Sequence, residues 1–286
     1  FKHALTREVI YDSILTKRRA KNHEKIANAI EELYRDNVRE HFEVLSEHFF
    51  LGENYLKGAE YSRLASKKAI KRASLNDSIT FAKKRITCVE RLPRTEDVER
   101  QILDTRVLLG LYLIQVYHGV DAKKIIEPVI DLAAKYNDQK RLGQIYTVMG
   151  SYHFFGEENI PAASRAFEDA LQAANESNDI ATLAFASVWF GSMLSWNCEF
   201  DKSEIHFNNV IDISLAAGNL WGIAVNKSIF ANFFYFLQGK MNLAFKTTTE
   251  ALRIAEESGD IHSKAHAYTN HGISYYGKGF LDEAKK

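Results

Sequence analysis

The chain has 286 residues, 46% of them hydrophobic, enough to bury a sizeable core. No apolar run reaches the roughly 18 residues of a membrane helix, since the most apolar stretch, 223–237, is broken by Asn226, Lys227, Ser228 and Asn232. Three prolines and 15 glycines argue against a turn-dense all-β fold, and a formal net charge of zero gives no bulk pull toward a polyanion.

The charge is mildly divided: residues 1–100 carry 21 Lys+Arg against 16 Asp+Glu, leaving 16 against 21 for the remainder. Cys88 and Cys198 form no CxxC or metal-type spacing and read as reduced thiols of a cytoplasmic protein. No signal peptide is visible. The chain begins without Met and stops at Lys286 within a repeat, so it reads as a piece of a longer protein.

At the amino end, residues 1–34 read FKHALTREVIYDSILTKRRAKNHEKIANAIEELY. Phe1, His3, Ala4, Leu5, Glu8, Val9, Tyr11, Ser13, Ile14 and Leu15 are followed by a basic stretch, then His23, Ile26, Ala27, Ala29, Ile30 and Glu31. This order resembles the end of the winged-helix segment in large signal-transduction ATPases. Two further stretches are similar to that family where it enters its repeats: EHFEVLSEHFFLGENYLKGAEYSRLASKKAI and ERLPRTEDVERQILDTRVLLG. The likeness is greatest to bacterial proteins that join an adenylate/guanylate cyclase domain, an ATPase and tetratricopeptide repeats. The maltose-regulator type of transcription activator has a similar layout. No G-x-x-x-x-G-K-[ST] loop occurs, so the resemblance implies a regulatory arm without its nucleotide-binding core. By it, residues 1–38 are the end of a winged-helix-like segment with a connecting helix, and residues 39–97 are divergent helical repeats.

Within 39–97 the period is indistinct. His41 and His48 flank Glu43 and Glu47, but seven residues put the two rings about 10 Å apart along a helix, too far for one tetrahedral zinc without other ligands. A structural role is the better reading. Three basic clusters, Lys17-Arg18-Arg19 with Lys21, Lys67-Lys68 with Lys71-Arg72, and Lys83-Lys84-Arg85, read as solvated helix faces or as docking sites for an acidic surface of an ATPase domain. Interleaved carboxylates weigh against nucleic acid. Pro93 ends a helix, and Thr95 or Asp97 caps the next, predicted over about 98–117.

From residue 98 onward a repeat governs the pattern. The tetrapeptides KYND, ESND, AAGN and ESGD end at Asp138, Asp179, Asn219 and Asp260, at steps of 41, 40 and 41 residues. Each offers a residue tolerant of left-handed backbone and then an Asn or Asp cap. Between them lies aromatic-x2-apolar-Gly-x2-aromatic, then Ala-x3-Phe. Met149, Gly150, Ala163 and Phe167 make one unit; Phe190, Gly191, Ser203 and Phe207 the next; Ala231, Tyr235 and Ala244 the third; Tyr268, Gly272, Tyr275 and Ala284 the last. A divergent unit upstream has Gly110 and Ala122. The period exceeds the usual 34 and matches HEAT or armadillo repeats, but the small-residue positions favour a long-helix tetratricopeptide variant. The expected fold is therefore all-α, a right-handed superhelical solenoid of antiparallel helix pairs with repeats of about 40 residues. Gly277-Lys278-Gly279 reads as the turn inside the last unit, equivalent to Gly239, rather than a phosphate loop.

In tetratricopeptide proteins the first helices line a concave groove. That resemblance implies a groove of Gln144, Thr147, Ser151 and Phe154, then Phe185, Val188, Ser192 and Ser195, then Asn226, Ile229, Phe233 and Phe236, then His266, Thr269, Ile273 and Tyr276, with Trp189 and Trp196 nearby. Aromatic, hydroxyl-bearing and poor in charge, such a surface suits a peptide, an amphipathic helix or a small apolar ligand. The alternative is that the superhelix buries these rings against itself. No acid/base pair, nucleophile elbow, metal set or cofactor motif stands out, so neither cofactor nor catalysis is expected. The expected role is a regulatory protein-binding module, with a plain scaffold or a transcription activator's sensor arm as alternatives.

Overall fold

The computed structural model describes Val9 and residues 11–285, so most of the amino-end motif, Phe1 to Glu8 and Ile10, lies outside the described residues, as does Lys286. Among the described residues every regular element is helical. Two compact units divide after Tyr112.

The first unit contains α1 (Thr16–Leu33), a 3₁₀ segment (Arg35–His41), α2 (Phe42–Leu51), α3 (Tyr55–Lys71), α4 (Leu75–Val89) and most of α5 (Glu96–Gln115). Helices α1 to α4 pack in chain order, each on the next. Ala27, Leu45, Phe49 and Tyr61 make a core, with Ile30, Val38, Phe42 and Leu64 against it. Repeat-like turns that periodicity did not expose are present: Glu53 and Ala73 are left-handed, at φ 58° and 56°. Asn54 then caps α3 by accepting from the Lys57 amide at 3.2 Å. As expected, α5 begins with a capped turn after Pro93, the Val98 amide donating to Thr95 at 3.3 Å.

The second unit holds α6 (Gly119–Ile126), a 3₁₀ turn, α7 (Ile130–Lys135), α8 (Gln139–Phe155), α9 (Ile160–Glu176), α10 (Ile180–Trp196), α11 (Phe200–Ala216), α12 (Leu220–Phe230) continued by a π-helical turn (Ala231–Phe236), α13 (Met241–Ser258), α14 (Ile261–Gly277) and α15 (Leu281–Ala284). The four tetrapeptides are the turns ahead of α8, α10, α12 and α14. Their third residues, Asn137, Asn178, Gly218 and Gly259, are left-handed. Their fourth residues cap the next helix through side-chain oxygens that accept from the amides of Arg141, Thr182, Gly222 and Ser263 at 2.8–3.2 Å.

The small-residue positions do what their spacing requires. A Cβ on Gly150 would come within 2.8 Å of the Phe167 ring, and one on Gly191 within 3.3 Å of Phe207. In the third unit both partners change together: Ala231, fully buried, replaces the glycine, and Thr248 replaces the phenylalanine. At Gly272 the nearest atom to a Cβ is 3.4 Å away, ordinary contact, so this glycine is not forced. Gly239 and Gly279, at φ 72° and 81°, are the expected intra-unit turns.

First and second helices play different parts. α8 packs on α10, α10 on the π-helical turn, and α12 on α14, so the first helices form a layer running from unit to unit. α9 packs on α8 and α10, α11 on α10 and α12, and α13 on α12 and α14. Each second helix is thus wedged between consecutive first helices, the nearest-neighbour logic of a stacked solenoid.

Candidate functional site

The first-helix layer carries two aromatic groups. Tyr117, Phe155 and Trp189 meet edge to face, with centroids 5.5, 6.4 and 6.1 Å apart. Phe154 adjoins Phe155 at 4.8 Å and Phe185 adjoins Trp189 at 6.3 Å. Beneath them lie Ala163, Phe167, Phe190, Met193 and Leu194. One unit further on, Trp196 meets Phe233 at 6.4 Å. Tyr117 is 63% exposed, Trp196 55% and Phe155 41%, so these rings present accessible apolar faces on a supported base. Edge-to-face pairing fixes their orientation at little further entropic cost.

The residues expected to line a groove divide by depth. Phe154, Phe185, Val188, Ile229, Phe233 and Phe236 are half-buried, and three of them, Phe154, Phe185 and Phe233, belong to the aromatic groups. Phe236 lies over Gly277, where a Cβ would come within 2.6 Å of its ring. Ile273 is half-buried, and Thr269 and Tyr276 are exposed. Thr147, Ser151, Ser192 and Ser195 are buried. Thr147 and Ser192 donate to the carbonyls of Gly143 and Val188, and Ser195 pairs with Ser203 at 2.6 Å. Gln144 donates to Thr182 at 3.2 Å and Asn226 to Ser214 at 3.1 Å, so both amides tie helices together. The accessible surface is therefore narrower and more aromatic than the full set of sixteen positions.

His266 is half-buried beside His262, which stacks on Trp221. Burial, and then the neighbouring His262, pull the His266 pKa down from 6.5 to about 4. It is neutral at physiological pH.

Tyr117 and Phe155 were not among the expected groove residues. Tyr117 sits in a left-handed turn, φ 58°, outside any helical period. Phe155 follows Phe154 directly, and only the helix-to-helix contact makes both rings usable. The HFF run at 153–155 is the signal that marks Phe155 in sequence; Tyr117, in VYHG, has none.

The first unit resolves the remaining candidates. His48 meets His23, not His41, with their Nδ1 atoms 2.8 Å apart and the Tyr11 hydroxyl 2.8 Å from His23 Nε2. His41 stacks on Tyr34 at 3.9 Å. Lys68 is buried between the Arg39 carbonyl and Glu43, and Lys84 pairs with Glu47, so these members of the basic clusters serve the fold. Burial raises the Cys88 thiol to about 11, which leaves it unreactive. Among the described residues no three His, Cys, Asp or Glu side chains converge as a metal site, and no helix is long and apolar enough to cross a membrane.

The family model for anaphase-promoting complex subunit 5 matches residues 145–204 and 210–271. These two tandem segments lie within α8 to α14 and cover less than half of the chain. No curated protein matches. Among solved structures, the chain is similar to a Signal Transduction ATPase with Numerous Domains (STAND) protein with a tetratricopeptide repeat sensor from Pyrococcus horikoshii. The TM-score is 0.53 at 13% identity, over 87% of this chain and 38% of that protein. It also aligns with BtubC (BKLC) from P. vanneervenii, with a TM-score of 0.42 and 12% identity, over 96% of this chain and 88% of that one. The chain thus spans well under half the length of the STAND protein, and the likeness is one of fold. Regular turns, small-residue packing and stacked helix pairs make this chain an all-α, tetratricopeptide-like helical repeat solenoid.

Proposed function

We propose that the chain is a non-catalytic regulatory module that binds a protein segment on its first-helix face and relays that event to other domains of a longer signalling protein. The observation that supports this reading is an aromatic set in which exposed Tyr117, Phe155 and Trp196 stand on half-buried Trp189 and Phe233. Large rings held rigid over a packed base are the usual anchors of protein recognition. Scarcity of charge among them suits an amphipathic helix or an extended apolar peptide; a small apolar ligand would use the same rings.

The amino-end motif supports a setting beside a signalling ATPase, with a nucleotide cyclase as output; in the second setting, the chain is the sensor arm of an ATP-dependent transcription activator. The fold likeness to a STAND protein with a repeat sensor agrees with either.

The test is selection of helical peptides from a random library on the intact chain, with Tyr117→Ala plus Trp196→Ala as the counter-screen. Both side chains are more than half exposed, so the double variant keeps its fold. Peptides that lose about 2 kcal/mol or more of affinity on the variant support the site. A library giving only peptides indifferent to both substitutions sinks it. In the full-length protein, ATP turnover that ignores such a peptide would leave a scaffold rather than a relay.

A further inference from the structure

The second unit also carries a cleft lined by none of the rings of the aromatic set. It lies between α9 and α11 over α10, an open groove of roughly 590 Å³. Its walls include Leu171 and Leu183, and its polar groups include Asn175, Ser187, Asn209 and Asp212.

The repeat explains why the space exists. Eight residues beyond the caps Asp138, Asp179, Asn219 and Asp260 stand Tyr146, Ser187, Lys227 and Tyr268. Three of the four are long. Lys227 reaches Glu250 on α13 at 2.8 Å, and the Tyr268 hydroxyl donates to Glu256 at 3.0 Å. The residue 41 positions before Glu250 is Asn209. The cross-helix ion pair of one unit is therefore replaced, in the unit before it, by two short neutral side chains, and the cleft is the room they leave.

Asn175, Asn209 and Asp212 are exposed at its edges, and one polar group at its floor is buried without a partner. Ser187 is 0% exposed, yet its hydroxyl bonds to nothing among the described residues. By contrast, the buried hydroxyls of Thr147, Ser192 and Ser228 each donate to the carbonyl four residues back. A buried hydroxyl without a partner loses its water hydrogen bonds and regains nothing on folding. The charge is one-sided. Helices α9 and α11 carry six carboxylates, from Glu168 to Asp212, against Arg165 and Lys202.

We propose that this cleft receives a basic side chain, lysine or arginine, presented by a partner protein. The aliphatic stem takes the place of the missing Lys227 equivalent, and the cation is held by the Asp212 carboxylate and the amide oxygens around it. Ile205, 68% exposed at the rim, gives the partner's backbone an apolar footing that a free amine would not use. His206, also lining the cleft, is pulled below its ordinary pKa by burial and adds no repelling charge.

The probe is the capped tripeptide acetyl-Gly-Arg-Gly-amide, titrated into the whole chain labelled with ¹⁵N-asparagine. Acetyl-Gly-Gln-Gly-amide and agmatine are the comparisons. The arginine peptide is expected to shift the side-chain amides of Asn175 and Asn209, the glutamine peptide to leave them still, and agmatine to bind more weakly. Asp212→Asn should weaken the arginine peptide about tenfold. Ser187→Lys with Asn209→Glu, which rebuilds the ion pair of the next unit, should abolish the response while the melting temperature holds; if that variant does not fold, Asp212→Asn decides alone. Equal shifts from the glutamine peptide, no shift at all, or wild-type binding by Asp212→Asn overturns the proposal. Agmatine shifting the amides while the peptide does nothing overturns the protein partner.

Discussion

At Gly150 the missing side chain is what lets α8 and α9 close on each other, because the Phe167 ring occupies the space a methyl would need. Phe167 cannot swing away: it is 1% exposed and stacked on Phe190 at 5.5 Å. Alanine at position 150 gains about 1 kcal/mol in helix propensity but forces overpacking worth about 1–3 kcal/mol. Gly150→Ala is expected to lower stability in urea denaturation, whereas Gly272→Ala, with its nearest neighbour at 3.4 Å, should be neutral or stabilising. A second residue-scale outcome concerns pH. The folded pKa of His266 is about 4 against an ordinary 6.5, so below 6.5 the unfolded chain takes up a proton that the folded one refuses. The contribution of this residue is complete above about 6.5 and is lost as pH falls toward 4. His266→Phe should therefore flatten the melting temperature over that window, and an unchanged pH profile would contradict the assignment.

Among the elements, the caps hold the register. Asp179 accepts from the Thr182 amide at 3.2 Å and from Lys140 of the preceding first helix at 2.9 Å. Burial alone would raise its pKa, but the bonds from Thr182 and Lys140 outweigh it and hold the carboxyl below its ordinary value. Asp179→Ala removes both the cap and the tie to α8. A loss of about 1–2 kcal/mol is expected, larger than for Asn159→Ala, whose side chain serves only the Ala162 amide. Hydrogen exchange in the first turn of α10 checks this directly, since those amides should be the ones that speed up. Where α12 passes into the π-helical turn, Ala231 occupies the glycine position and Thr248 the phenylalanine position. Thr248 is smaller than the ring it replaces, and its hydroxyl meets His271 and Ser274 of α14 at 2.9 and 3.0 Å.

Over the whole second unit, stability is shared between neighbours. Phe207 of α11 is fully buried against Phe230 and Phe234, and Phe200 and Tyr235 pack on the same cluster. Phe207→Ala should cost about 3–5 kcal/mol and expose amides in α12 as well as α11, because the ring is core for both. Protection lost only within α11 would show that the units do not lean on one another.

The repeat was legible in the sequence because its determinants are local. A left-handed residue followed by Asn or Asp ends one helix and starts another whatever surrounds it, and KYND, ESND, AAGN and ESGD all did so. Gly150 and Gly191 announced tight contacts with Phe167 and Phe207 by spacing alone. The surface was less legible. Periodicity puts Thr147, Ser151, Ser192 and Ser195 on the same helices as Phe154 and Phe185, but depth depends on how far the neighbouring helix overlaps, and the structure buries all four. His48 found His23, and Tyr117 found Trp189, across gaps no helical period spans. Local backbone chemistry can be read one turn at a time, so composition, caps and small-residue steps settled the class of fold. Exposure and side-chain company are set by packing between segments far apart in the chain, and only the tertiary structure decided them.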